Sequence, residues 1–146
     1  MKSLLKTSAV TIAAASLFAA GTAFAERPAN LAGTTWTLQT NQQAIQLAII
    51  SQGGAGAPGA ANCRHISGEL GTPPPAVQIS GWYCPTTGRI HFVHKNLSTD
   101  NAVRVFTGNV SDDVNGQPLY MAGTMTVLAI AFGDLGEYNF SATKVP

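Results

Sequence analysis

The stretch 89–111, RIHFVHKNLSTDNAVRVFTGNVS, constrains the fold of this chain more than any other. It reads as two β-strands around a polar turn. In the first strand, residues 90–95, Ile90, Phe92 and His94 share one face and His91, Val93 and Lys95 the other. The second, residues 103–110, is rich in β-branched residues and carries Thr107-Gly108 in its middle. Residues 96–101, NLSTDN, supply turn chemistry between them. A glycine inside a strand marks a bend or a close approach of two backbones, as at the corner of a barrel. The pair recurs as Ser67-Gly68, Ser80-Gly81 and Ala122-Gly123, each among β-forming residues. Four such positions in 146 residues predict a sheet curled onto itself.

Six further strands can be drawn, at residues 33–39, 44–51, 62–70, 77–84, 119–130 and 137–145. Between them lie a Gly/Ala-rich loop at 52–61, a stiff Thr72-Pro73-Pro74-Pro75 connection, a tight turn at 85–88 and an Asn115-Gly116 hairpin signal. A short apolar run cannot be assigned by period alone, and residues 127–132 also fit helical spacing. No long helix is expected. The reading is an all-β chain of eight strands.

The first residues set the address. Lys2 and Lys6 precede an apolar run at 11–20, and Ala23-Phe24-Ala25 forms an A-x-A cleavage site. That three-part pattern predicts a secretory signal peptide, residues 1–25, cut after Ala25. The apolar run is too short to span a bilayer, and no later stretch is long enough. The expected product, residues 26–146, is a single domain that is secreted or periplasmic. It carries six basic and seven acidic residues, so its net charge is near −1. No basic stripe exists, which argues against nucleic acid or an anionic membrane as partner.

Cys63 opens the predicted third strand and Cys84 closes the fourth. In an antiparallel hairpin those positions lie side by side, and an exported chain with two thiols oxidises them. Closing a loop of about 20 residues adds about 3 kcal/mol on the chain-entropy model. No His–Asx pair accompanies either thiol, so a structural bridge is preferred to a catalytic cysteine.

The order of these segments resembles the avidin/streptavidin family. Gly33-Thr34-Thr35-Trp36 is similar to its opening G-T-W, and His65-Ile66-Ser67-Gly68-Glu69-Leu70 to its third strand. Phe92-Val93-His94-Lys95-Asn96 and Val105-Phe106-Thr107-Gly108 resemble its fifth and sixth strands. Gly136-Glu137-Tyr138-Asn139-Phe140 with Thr143-Lys144-Val145 resembles its ending. The resemblance implies an eight-stranded antiparallel up-and-down β-barrel with a biotin-type site at one mouth. No cofactor is expected.

Carried over residue by residue, the resemblance implies a ligand site made of Leu38, Thr72, Phe92, His94, Arg104, Phe106, Thr126 and Tyr138. The departures are chemical. Leu38 stands where the family has Asn, Leu70 where it has Tyr, His94 and Thr126 where it has Trp, and Tyr138 where it has Asp. Each missing buried donor or acceptor costs about 1–3 kcal/mol, which speaks against very tight biotin capture. The family's facing turns Arg104 and Phe106 inward opposite His94, a basic pair over an apolar floor suited to a small carboxylate. Period-2 alternation favours the opposite facing, with Val103, Val105 and Thr107 inside and Arg104 solvated.

His91 and His94 point to opposite faces of one strand, so no metal site is expected. The Asp112-Asp113-Val114-Asn115-Gly116 run lacks the bidentate Glu of a calcium loop and reads as a turn. Trp36 and Trp82 are expected in the core or at an interface. No catalytic motif is present, so the chain is not expected to be an enzyme. It is expected to bind a small molecule, biotin or another. The alternative is an exported protein-binding module, an inhibitor or adhesive subunit, on the same barrel. By analogy with avidin-like tetramers, Met121, Ala122, Gly123, Thr124, Met125 and Val127 offer a flat face for a dimer or tetramer.

Overall fold

Alternation of buried and exposed residues marks the strands of the computed structural model, which describes residues 26–41, 43–54, 62–71, 77–96, 101–113, 117–129 and 133–146. The elements are β1 (Thr34–Thr40), β2 (Ala44–Gly53), β3 (Arg64–Leu70), β4 (Val77–Cys84), β5 (Arg89–Asn96), β6 (Ala102–Val110), β7 (Tyr120–Ala129) and β8 (Gly133–Lys144). Each strand pairs antiparallel with the next, and β8 returns to β1, so the sheet is a closed barrel in sequence order. Closure leaves no unpaired edge. The predicted eight-stranded all-β barrel is therefore the fold.

Alternate residues of every strand enter one core. Trp36 and Leu38 of β1, Leu47 and Ile49 of β2, and Tyr83 of β4 are all 0–1% exposed. Phe92 and Phe106 are direct cross-strand partners, their rings stacked with centroids 4.5 Å apart. Phe140 of β8 meets both edge-on, at 6.4 and 5.4 Å. Offset stacking with edge contacts suits the ring quadrupoles, and each buried ring contributes about 2–3 kcal/mol through its area. At each of Gly68, Gly81, Gly108 and Gly123 an added Cβ would strike the backbone of the neighbouring strand, as the bends predicted for them require.

Four expectations are corrected. On β6 the buried set is Ala102, Phe106, Gly108 and Val110, whereas Val103 and Val105 are half-exposed and Thr107 is exposed. Arg104 thus lies on the inner face. The stacked phenylalanines and the crowded glycine outweigh the preference for burying valines. On β7, Met121 and Met125 are buried inside the barrel, with Val127 packed on the same core, so none of them forms an outer docking face. Thr126 belongs to the outer face between Met125 and Val127, and is not a lumen residue. The eighth strand starts at Gly133 rather than residue 137, because Gly133 (φ 78°) and Gly136 (φ 122°) allow a register shift near Val127. The expected helix-like run extends to residue 132. Residues 127–129 of it are strand, the end of β7, and 130–132 lie outside the described residues, as do Thr72, residues 1–25 and the Asn115-Gly116 turn.

The disulfide is present, joining Cys63 to Cys84 with their Cα atoms 4.0 Å apart. It extends the β3–β4 ladder one position past its last pair, Arg64 with Tyr83.

Candidate functional site

Strand direction divides the barrel into two ends. The base carries the β4–β5 turn, the β2–β3 and β6–β7 connections and the segment before β1. The mouth carries the other four connections, and its loops include residues 72–76, 97–100 and 130–132, which lie outside the described set.

The base is closed by residues 26–33, a feature with no periodic signal in the sequence. Leu31 is completely buried in the core. Around it, the Gln52 side chain accepts from the Leu31 amide and donates to the Ala29 carbonyl, both at 2.9 Å. The Tyr83 hydroxyl donates to the Pro28 carbonyl at 2.8 Å. Arg27 pairs with Asp112 at 3.2 Å, and Glu26 bridges to Asp113. Asp112 by its carboxylate and Asp113 by its backbone amide thus anchor this strap.

The mouth brings together most of the residues implied by the resemblance. His94 is buried, at 6% exposure, and Arg104 is its direct cross-strand partner. Such partners on one face hold their Cβ atoms about 5 Å apart. Arg104 also pairs with Val127, and Tyr138 with Met125, which carries the inner row across β5 to β8. Ile45, Val127 and Tyr138 form a half-buried fringe on the core. The Tyr138 hydroxyl donates to the Leu135 carbonyl at 3.3 Å, which leans the ring over Gly136. Below this fringe lie Phe92, Phe106 and Phe140, with Leu38 and Leu70 filling the opposite wall at 0% and 3% exposure. Two nitrogen-rich side chains therefore face inward above an aromatic floor. In general, a cationic side chain beside apolar rings suits a small molecule that carries an anionic group. Of the implied set, Leu38, Phe92, His94, Arg104, Phe106 and Tyr138 lie on the inner face of the barrel, Thr126 on the outer face, and Thr72 outside the described residues.

On the outer wall, Trp82 of β4 stacks on His91 of β5 with ring centroids 5.4 Å apart. The guanidinium of Arg89 lies 5.9 Å from the Trp82 ring. His91 shares a hydrogen bond with the Thr107 hydroxyl at 3.1 Å, and burial pushes its pKa below the ordinary histidine value. Trp36 is core, whereas Trp82 is half-exposed.

No protein-family model and no curated protein sequence matches this chain. Among solved structures, apo shwanavidin (P21 form) superposes with a TM-score of 0.60 over 83% of this chain and 100% of its own, at 14% sequence identity. At that identity the likeness is one of architecture, and it agrees with the strand order and closure described above: the chain is an eight-stranded barrel of the avidin-like fold.

Proposed function

We propose that this chain is exported, loses residues 1–25 by cleavage after Ala25, and acts as a non-enzymatic binding protein for a small molecule. The ligand enters at the mouth, places a carboxylate near Arg104 and His94, and rests its apolar body toward Phe92, Phe106 and Phe140. Biotin has this form, as do many other small acids. The observation that carries the reading is the placement of Arg104 on the inner face of β6, directly across from buried His94 on β5 and next to the Phe92–Phe106 stack. A cationic side chain and an imidazole beside apolar rings are a common way to orient a small molecule that carries an anionic group. The avidin-like architecture supports the same reading.

The test is the melting temperature of residues 26–146 with biotin and with a panel of small monocarboxylates. A ligand that binds only the folded form stabilises it by about 2.7 kcal/mol at a hundred times its Kd. A rise lost in Arg104→Gln supports the assignment. No rise with any acid at millimolar concentration overturns it.

One observation favours the second reading, a protein-binding module. Trp82, Arg89 and His91 form an aromatic and basic group on the outer wall, away from the lumen. Assembly into a dimer or tetramer belongs to the same proposal. After the correction on β7 it draws on the outward Tyr120 and Leu128, exposed at 49% and 38%. Light scattering on a sizing column distinguishes monomer from oligomer.

A further inference from the structure

The strap at the base is gripped from two sides. One lip is the end of β2, where Gln52 holds Ala29 and Leu31. The other is the end of β4 with the turn after it. Tyr83 holds Pro28, the Thr86 carbonyl accepts from Arg27 at 3.4 Å, and Gly88 lies against the Arg27 side chain. Between the lips runs a groove of about 420 Å³ lined by Ala29, Asn30, Gln52, Asn62, Arg64 and Thr86. Between the lips lies the start of β3, paired to the β2 lip at His65–Gly53 and to the β4 lip at Arg64–Tyr83, the last pair of its ladder. One position beyond that last pair, the Cys63–Cys84 disulfide ties the start of β3, the strand next to the β2 lip, to the end of β4. Cys84 sits between Tyr83 and the turn, and its carbonyl accepts the Thr87 and Gly88 amides that shape that turn.

We propose that the Cys63–Cys84 disulfide is a redox latch on the strap: intact, it holds the lips at the spacing the strap spans; reduced, it lets the strap leave and opens the base of the barrel. The opening step is ordinary exchange with a dithiol. One reagent thiolate attacks a cysteine sulfur, forming a mixed disulfide and expelling the other cysteine as thiolate. The second reagent thiol then displaces the first cysteine. The reagent ends as a cyclic disulfide, and the protein gains two electrons and two protons as two thiols. The cysteines are 4% and 7% exposed, so the base must loosen before a reagent reaches them. Coupling between two sites is reciprocal. If reduction frees the strap, then freeing the strap eases reduction.

Both directions are measurable on the purified chain. Amide hydrogen exchange is compared between the oxidised protein and the same protein held in dithiothreitol, with a Cys63→Ser/Cys84→Ser double variant as a second reduced form. The amides of Leu31 and Gly33, bonded to Gln52 and to the Ile49 carbonyl, lose protection at least tenfold on reduction, while the β6–β7 ladder changes less than twofold. In the reciprocal arm, a Gln52→Ala/Tyr83→Phe variant releases thiols at least tenfold faster at fixed dithiothreitol. Strap amides that stay protected in both reduced forms overturn the latch. So does loss of protection throughout the barrel on reduction, which makes the disulfide a general staple. An unchanged rate of thiol release in the strap variant overturns it as well.

Discussion

Gly108 of β6 lies directly opposite Gly123 of β7, and neither position has room for a side chain. An added Cβ at Gly108 would strike the Ala122 carbonyl and crowd the Phe140 ring, and one at Gly123 would strike the Thr107 carbonyl and the Gly108 Cα. The obstacles are chiefly backbone, which cannot rotate away as a side-chain tip can. Gly108→Ala and Gly123→Ala are each expected to destabilise by about 2–4 kcal/mol, through strain in a closed sheet. Gly53 ends β2 with nothing near its Cβ position, so Gly53→Ala is expected to stay within about 0.5 kcal/mol. Urea denaturation of the three variants checks this contrast.

Tyr83 ties the strap to alkaline pH. Burial pushes its phenol up to about 12, partly offset by nearby Arg27 and reinforced by Asp112. The folded value lies above the unfolded one near 10, so the unfolded chain gives up its proton first. Stability from this group is whole below pH 10 and is lost as pH rises through 12. Tyr83→Phe removes the donor to the Pro28 carbonyl, which is expected to cost about 1–2 kcal/mol at neutral pH. It also flattens the loss of stability between pH 10 and 12. Denaturation midpoints across that range, in wild type and variant, are the measurement.

His91 gives a slope of the opposite sign. Its pKa is lowered by burial against Trp82, so below the ordinary value of 6.5 the unfolded state binds the proton more readily. Stability is whole above pH 6.5 and falls as the solution is acidified below it. A protonated imidazole stacked on an indole also quenches its fluorescence. Tryptophan emission is therefore expected to fall with an apparent pKa below 6.5, and to lose that step in His91→Gln. Trp36, buried and bonded to the Thr34 hydroxyl at 2.8 Å, does not contribute to the step.

The aromatic floor is a mechanical element as well as a binding one. Phe106 touches both Phe92 and Phe140, so Phe106→Ala removes two ring contacts and leaves a cavity. A loss of about 3–5 kcal/mol is expected, with double-mutant coupling to Phe140→Ala of about 1 kcal/mol. Calorimetry on the single and double variants reads both.

What the sequence made legible was what a local period encodes. Ile90, Phe92 and His94 alternate with His91, Val93 and Lys95, and both faces of β5 could be assigned from that alone. Cys63 and Cys84 bracket one hairpin, and their pairing follows from its antiparallel geometry. On β6 the period was equally clear but its phase was not, because Val103, Val105 and Thr107 look as buriable as Ala102, Phe106 and Val110. The glycine held the missing signal: a residue that must lack a Cβ belongs on the crowded inner face, and Gly108 inside turns Phe106 and Arg104 inside with it. The same logic applied to Gly123 places Met121, Met125 and Val127 in the lumen and Thr126 outside. Residues 26–33 have no period, and their place depends on Gln52, Tyr83 and Asp112, far away in the chain. Nothing local could announce the strap.

The facing of β6 and β7 separates two residues that the resemblance alone treats alike. Arg104 lies on the inner face opposite His94, and Thr126 on the outer face, one residue away from the lumen-lining Met125. A ligand held at the mouth meets the first and is screened from the second by the thickness of the sheet. Arg104→Gln leaves a shorter, uncharged side chain that still donates hydrogen bonds, and is expected to weaken binding of a small carboxylate at least tenfold. Thr126→Val exchanges a hydroxyl for a methyl at a β-compatible outer site, and is expected to leave the affinity within twofold. Titration calorimetry with whichever acid raises the melting temperature compares the two. Equal losses at both positions would mean that the binding surface is not the lumen, and would move the site to the outer wall around Trp82.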